Sequence, residues 1–358
     1  MSLFRDQRLS LEQNRLLSKA RVLGPATALP VLLSDSELLK IIGVIGSDTG
    51  LHQLVPIEFR PPLDDYFQIP LSWFNDNRSV SAFNDIYIRC ITQVQNFDTY
   101  FKCLCELHKR RKKYDLILSA QPLPTMLQVS PRALLEFGRI NQEALASWLT
   151  WRKWFYDVDN RAAQETGYLF EPILANALGG TPYGAKNSPV KRRSDQRKGR
   201  QVDCIVDTLA YEFKLRVTIA ASGQGRFGEE LDFAEDCKAS GFTPMIVVLD
   251  PTPSTRLTEL VAEFTRAGGG AYVGPAAWQH LEQQAGSTMA TFLERYVRRP
   301  IEAMDQSALR LLDLSISRAP SQSQFCLRLG THEIQIARHE LAALADDGDD
   351  LSSTATSE

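Results

Sequence analysis

Several features that would assign a protein quickly are missing here. None of the 358 residues falls in an apolar run near the roughly 20 positions of a membrane span, and one of the longest is only Met245-Ile246-Val247-Val248-Leu249. The opening Met-Ser-Leu-Phe-Arg-Asp holds no apolar signal core, so a cytoplasmic location without membrane attachment is expected. The six cysteines include one close pair, Cys103-Leu104-Cys105, and no second pair to complete a zinc site. Scattered thiols of this kind read as buried and reduced. The five histidines form no metal-spaced pair, so histidine- or cysteine-led catalysis is not indicated. The small-residue loop at 218–228 lacks the Gly-Lys-Ser/Thr of a phosphate-binding loop, and no nucleotide cofactor is expected.

What remains is ordinary in bulk and uneven in detail. A hydrophobic content of 44% and a charged content of 23% suit a globular protein with one large or two ordinary domains. The net charge of −3 argues weakly against a nucleic-acid partner. Yet Asp346, Asp347, Asp349, Asp350 and Glu358 crowd the C-terminal tail with no basic residue, and removing them takes the charge to +2.

Along the chain, residues 5–21 read as a helix, 38–44 as an apolar piece before a turn at 46–50, and 55–72 as an extended proline-rich stretch. A helical region at about 80–114 ends in His-Lys-Arg-Arg-Lys-Lys, which suits either a solvated helix end or a phosphate contact. Helices over 131–157 follow, started by Ser130-Pro131, with a tryptophan-rich cluster better suited to core packing than to base stacking. Residues 160–178 read as a helix closed by Gly179-Gly180. It carries Glu165 and Glu171, and Glu171 sits among apolar neighbours and must either snorkel or meet a partner. From 160 to 284 the pattern alternates α, β, β, α, β, α, β, α. The fold class is therefore α/β, a mixed central sheet flanked by helices, with a mainly helical N-terminal region.

The informative stretch is 199–216, two short strands joined at Asp207-Thr208. Side chains alternate along a strand, which groups Val202, Cys204 and Val206 on one face and lets Asp203 share the other with Glu212 and Lys214. Two carboxylates and a lysine on a β-scaffold suit a hard divalent cation and a water nucleophile. Asp203, Glu212 and the main-chain carbonyl of Phe213 are the expected Mg²⁺ ligands, with Mn²⁺ able to replace the metal. Lys214 would orient the nucleophile or offset developing charge, and Glu171 would complete the shell or hold a water. Just upstream lies the most basic segment, 186–200. Its Lys191, Arg192, Arg193, Arg197, Lys198 and Arg200 are candidate DNA-contacting residues.

Val202-Asp203 followed by Glu212-Phe213-Lys214 resembles the PD-(D/E)xK nuclease superfamily, with valine where that family has proline. The resemblance covers about 160–275 and implies a core ordered α-β-β-β-α-β. Residues 212–227, Glu-Phe-Lys-Leu-Arg-Val-Thr-Ile-Ala-Ala-Ser-Gly-Gln-Gly-Arg-Phe, with Val248-Leu249-Asp250-Pro251-Thr252, resemble the ApaLI-like type II restriction endonucleases. That likeness implies a homodimer cutting a short palindrome in double-stranded DNA, with Ser222, Gln224 and Arg226 as further candidates for DNA contact. The expected division is a helical region at 1–158 for dimerisation or clamping, a nuclease core at 159–300, a small extension at 301–345 and a disordered acidic tail at 346–358.

Overall fold

A computed structural model describes residues 8–24, 29–80, 82–215, 224–307, 312–318 and 324–338. Helix α1 (Leu11–Arg21) lies within the expected first helix. The apolar piece after it belongs to a longer helix, α2 (Asp35–Asp48), opened by a capping box in which Ser34 Oγ accepts from the Glu37 amide at 3.2 Å. This helix extends to Asp48, into the expected 46–50 turn, which is left with Thr49 and Gly50, the latter at a φ of +73°. Leu38, Leu39, Ile41 and Ile42 are fully buried, each contributing about 1.5–3 kcal/mol. Even Lys40 is buried, its ammonium donating to the Trp73 and Phe74 carbonyls at 2.6 and 3.3 Å.

The helical region expected at 80–114 is two helices, α3 (Phe83–Gln93) and α4 (Phe97–Ala120), broken where Asn96 takes a φ of +55°. The basic run lies inside α4 and follows neither reading made from sequence. Lys109 donates to the Lys19 and Val22 carbonyls, Lys113 to the Leu29 carbonyl and Arg111 to those of Tyr66, Phe67 and Ile69. Arg110 pairs with Glu165, and Lys112 with Glu37. These cations staple neighbouring segments onto α4.

The two helices expected over 131–157 and 160–178 are one helix, α5 (Gln142–Ala177), of 36 residues. Asn141 caps it by accepting from the Ala144 amide at 2.8 Å, while Ser130-Pro131 opens only a 3₁₀ turn. α5 crosses the expected domain boundary near residue 158. One continuous apolar cluster joins Leu38 and Phe101 to Ile173, Met245 and Phe292.

The central sheet has five strands in the order β1 (Thr181–Tyr183), β2 (Val202–Val206), β3 (Leu209–Lys214), β4 (Thr243–Val248) and β5 (Gly270–Val273). The first three are antiparallel neighbours, and β3, β4 and β5 are parallel. Parallel pairing needs crossovers, supplied by α6 (Gln224–Ala239) and α7 (Thr255–Arg266), with α8 (Pro275–Leu293) following β5. On one face, Cys204, Tyr211 and Phe213 pack against α5 and α8; on the other, Ala210, Ile246 and Val248 pack against Phe233, Leu260 and Phe264. Val202, expected beside Cys204, packs with the second set. A register shift between β1 and β2 marks a bulge that re-aims it. From α5 onward, the order helix, three strands, helix, strand matches what the resemblance implies. The close approach of α5 to β2 needs Gly180, where a Cβ would stand 2.2 Å from Cys204 Sγ.

Near the C-terminus, Gln324–Leu329 and His332–Ala337 form a hairpin, with a third strand, Leu314–Arg318. It packs Phe325 edge-on against Trp154 and Trp151. The acidic tail at 346–358 lies outside the described residues.

Candidate active site

β2 and β3 form a hairpin closed by the two-residue turn Asp207-Thr208, with Asp207 at a φ of +51°, which aspartate tolerates. The paired register runs Cys204 with Tyr211, Ile205 with Ala210 and Val206 with Leu209, and Asp203 and Glu212 are the next residues beyond it on the two strands. Residues opposite one another across an antiparallel pair share a face. Asp203 Oδ2 accepts from the Phe213 amide at 2.8 Å. Lys214 Nζ donates to Glu212 Oε1 at 2.9 Å and lies 3.1 Å from Oε1 of Glu230, from α6. The cluster sits at the carboxyl end of β3, where open α/β sheets place their ligands.

The charges here are crowded. Burial, then Glu212 and Glu171, hold the Asp203 carboxyl well above the usual carboxylate range, against the pull of the Phe213 amide and Lys214. Burial and Glu212 likewise raise Glu171, with Lys214 opposing. Burial pushes the Lys214 ammonium down, but Glu212 and Glu230 outweigh it, so its pKa is raised and it stays protonated at neutral pH. Glu165, the other glutamate considered on α5, pairs with Arg110 of α4.

Four carboxylates therefore surround one ammonium, an imbalance that a bound cation relieves. Among the described residues, no group of three or more His, Cys, Asp or Glu side chains is gathered into a finished metal cage. The oxygen donors of Asp203 and Glu212 with the Phe213 carbonyl still fit Mg²⁺, which binds through one or two carboxylates and keeps several waters.

The basic segment forms a second small hairpin, Lys191–Arg192 with Asp195–Gly199, against α6. Its cations divide into two groups. Arg200 is buried and donates to Asp236 Oδ2 at 2.7 Å; Arg193 lies 3.6–3.7 Å from Asp232, Glu235 and Asp236. Arg192 pairs with Glu229 at 3.1 Å, and Lys191 Nζ reaches the Ser188 carbonyl at 2.8 Å. Arg197 and Lys198 are free to reach outward. Their side chains are 92% and 72% exposed, and among the described residues their ion-pair partner is Asp195. Ser222 lies outside the described residues, as do the side chains of Gln224 and Arg226 at the start of α6.

Sequence reasoning missed Glu230 and Asp236. Both lie on α6, and nothing local in Glu229-Glu230 distinguishes an inward carboxylate from a solvated one.

No solved structure matches this chain. Residues 68–298 match the model of the ApaLI-like restriction endonucleases. The sequence is 48% identical over 368 aligned positions to the type II restriction enzyme ApaLI of Acetobacter pasteurianus, covering 96% of this chain and 98% of that protein. The matched span encloses Glu171, Asp203, Glu212 and Lys214, and the identity runs almost end to end. On both counts, the chain belongs to the ApaLI-like restriction endonuclease family.

Proposed function

We propose that this chain is a type II restriction endonuclease. It hydrolyses phosphodiester bonds at a short palindromic site in double-stranded DNA, as a homodimer, with Mg²⁺ or its substitute Mn²⁺ and no nucleotide cofactor. The observation that carries this reading is the crowding of Asp203, Glu212 and Glu171 around Lys214 at the end of β3.

Asp203, Glu212 and the Phe213 carbonyl would hold the cation, which would supply neutralisation of charge on the scissile phosphate and a better water nucleophile at neutral pH. Lys214, protonated, serves as a donor and fixed charge rather than as a base. It orients the attacking water and stabilises charge developing on the phosphate oxygens. Glu171, with its raised carboxyl pKa, takes the proton as the water oxygen bonds to phosphorus. The bond to the leaving sugar oxygen breaks, and that oxygen takes a proton from solvent. Four carboxylates repel DNA, so phosphate grip must come from elsewhere. Arg197 and Lys198 at the hairpin tip supply it. Lys191, Arg192 and Arg193 flank them, while Arg200 holds the hairpin on α6 through Asp236.

Incubating plasmid DNA with the protein and Mg²⁺ tests the proposal. Discrete fragments are expected. A smear would indicate a nuclease of this fold without palindrome specificity, and binding without cleavage would overturn the enzymatic reading.

A further inference from the structure

The segment before α5 leaves an apolar face that none of the described residues covers. Val129 beneath it packs on Leu145 and Leu149, which fixes the 3₁₀ turn Ser130–Leu135 and its flanks to the start of α5. Outward from that support point Leu127, Leu134, Leu135 and Phe137, at 87%, 83%, 91% and 70% exposure. Beside them stand Trp148 and Tyr156 of α5, at 51% and 59%. Glu136 ties the turn to the helix, accepting from Trp148 Nε1 at 3.1 Å and from Arg152 at 2.7 Å. The face is therefore anchored from beneath and along one side.

We propose that this face, residues 126–157, is where a second copy of the chain docks; the inference rests on the homodimeric reading above and gives that dimer its surface. The six apolar side chains offer roughly 500–700 Å². That is at or above the largest patch of a typical monomer and most of the ~800 Å² per partner of a stable interface. Their composition, leucine with Phe, Tyr and Trp, is that of an interface centre.

Charge favours a second copy over DNA. Within 126–157, Arg132, Arg139, Arg152 and Lys153 are nearly balanced by Glu136, Glu143 and Asp157. A mixed rim can complement itself about a two-fold axis, whereas a phosphate-binding face would be one-sidedly basic. The position also serves the reaction. Trp148 and Glu171 lie on one helix, 23 residues and so roughly 35 Å apart. Docking at the N-terminal end of α5 thus leaves Glu171, toward the other end of the helix, clear of the contact.

Analytical ultracentrifugation of the full chain tests this. Wild type is expected at twice the monomer mass of 40.2 kDa. Leu135→Asp with Phe137→Asp, both at exposed positions, should weaken self-association by about thirtyfold or more with an unchanged circular dichroism spectrum. A wild type that is monomeric throughout the micromolar range, or a variant that stays dimeric, overturns the proposal. Should the variant misfold, hydrogen exchange on wild type decides. Protection at 126–157 must fall on dilution in step with loss of the dimer, and constant protection there overturns the inference. Plasmid cleavage run in parallel separates the two readings. A monomer that cuts refutes only the docking surface, and a dimer on this face that does not cut refutes only the nuclease.

Discussion

Replacing Asp203 with asparagine should stabilise the metal-free protein while removing its activity. The carboxamide oxygen can still accept from the Phe213 amide, which Asp203 does now at 2.8 Å. Its NH₂ group would face Glu212 and Glu171, the carboxylates that raise the Asp203 pKa after burial. At an effective dielectric of ~20, one uncompensated carboxylate about 6 Å away costs about 3 kcal/mol. Because Asp203 relieves part of that by holding a proton, about 1–2 kcal/mol should be recovered. Unfolding entropy near 2.1 cal/mol/K per residue gives a chain of 358 residues about 0.75 kcal/mol/K, so Tm should rise by about 1–3 °C. The sign with pH follows from linkage. The folded protein keeps this proton to higher pH than the unfolded chain. Wild-type stability therefore falls as pH rises from the ordinary value of 3.8 toward the raised one. The advantage of Asp203→Asn should open across that window and vanish below it. Thermal melts with a chelator, in acid and at mildly alkaline pH, read this directly. Mg²⁺ at a hundredfold over its Kd should then stabilise wild type by about 2.7 kcal/mol and leave the variant unmoved. A variant that melts lower at every pH, with metal acting equally on both proteins, would refute the reasoning and make Asp203 a structural group.

Three further outcomes are expected. Alanine at both Arg197 and Lys198 should weaken DNA binding for all sequences alike and reduce the log–log salt slope by about 2, as a filter-binding titration would show; an unchanged slope would place phosphate contact elsewhere. Arg200→Ala removes the 2.7 Å guanidinium partner of Asp236, itself 4% exposed, and leaves it the amide and guanidinium of Arg193; the loss should cost about 2 kcal/mol, seen as a Tm lower by about 3 °C. Glu230→Gln removes one of the two carboxylates that raise Lys214, so the alkaline limb of the cleavage pH profile should move to lower pH, and an unmoved limb would show that Glu230 does not tune that lysine.

The β2–β3 hairpin was legible because alternation on a half-buried sheet is a local property. Asp203, Glu212 and Lys214 were grouped by that alternation, although at Val202 a bulge against β1 overrides it. The capped helix at 255–266 was legible for a similar reason, since Ser254 marks its start. Features set by distant partners were not. Proline is a helix breaker in isolation, but packing carries α5 past Pro172 to Ala177. Strand β1, only Thr181-Pro182-Tyr183, is too short to show a period. Lys109, Lys113 and Arg111 look solvated in sequence because their carbonyl partners lie some 42 to 90 residues away. Glu230 and Asp236 were hidden in the same way, their cations being 16 and 36 residues distant.

The most direct test of the central claim is plasmid cleavage by Lys214→Ala with Mg²⁺, beside wild type and with folding checked by circular dichroism. The ammonium held between Glu212 and Glu230 is assigned to the reaction and not to gripping DNA. Cleavage should therefore fall by about 10²–10³-fold, with DNA affinity largely retained. A folded Lys214→Ala protein that cuts at the wild-type rate would contradict the account.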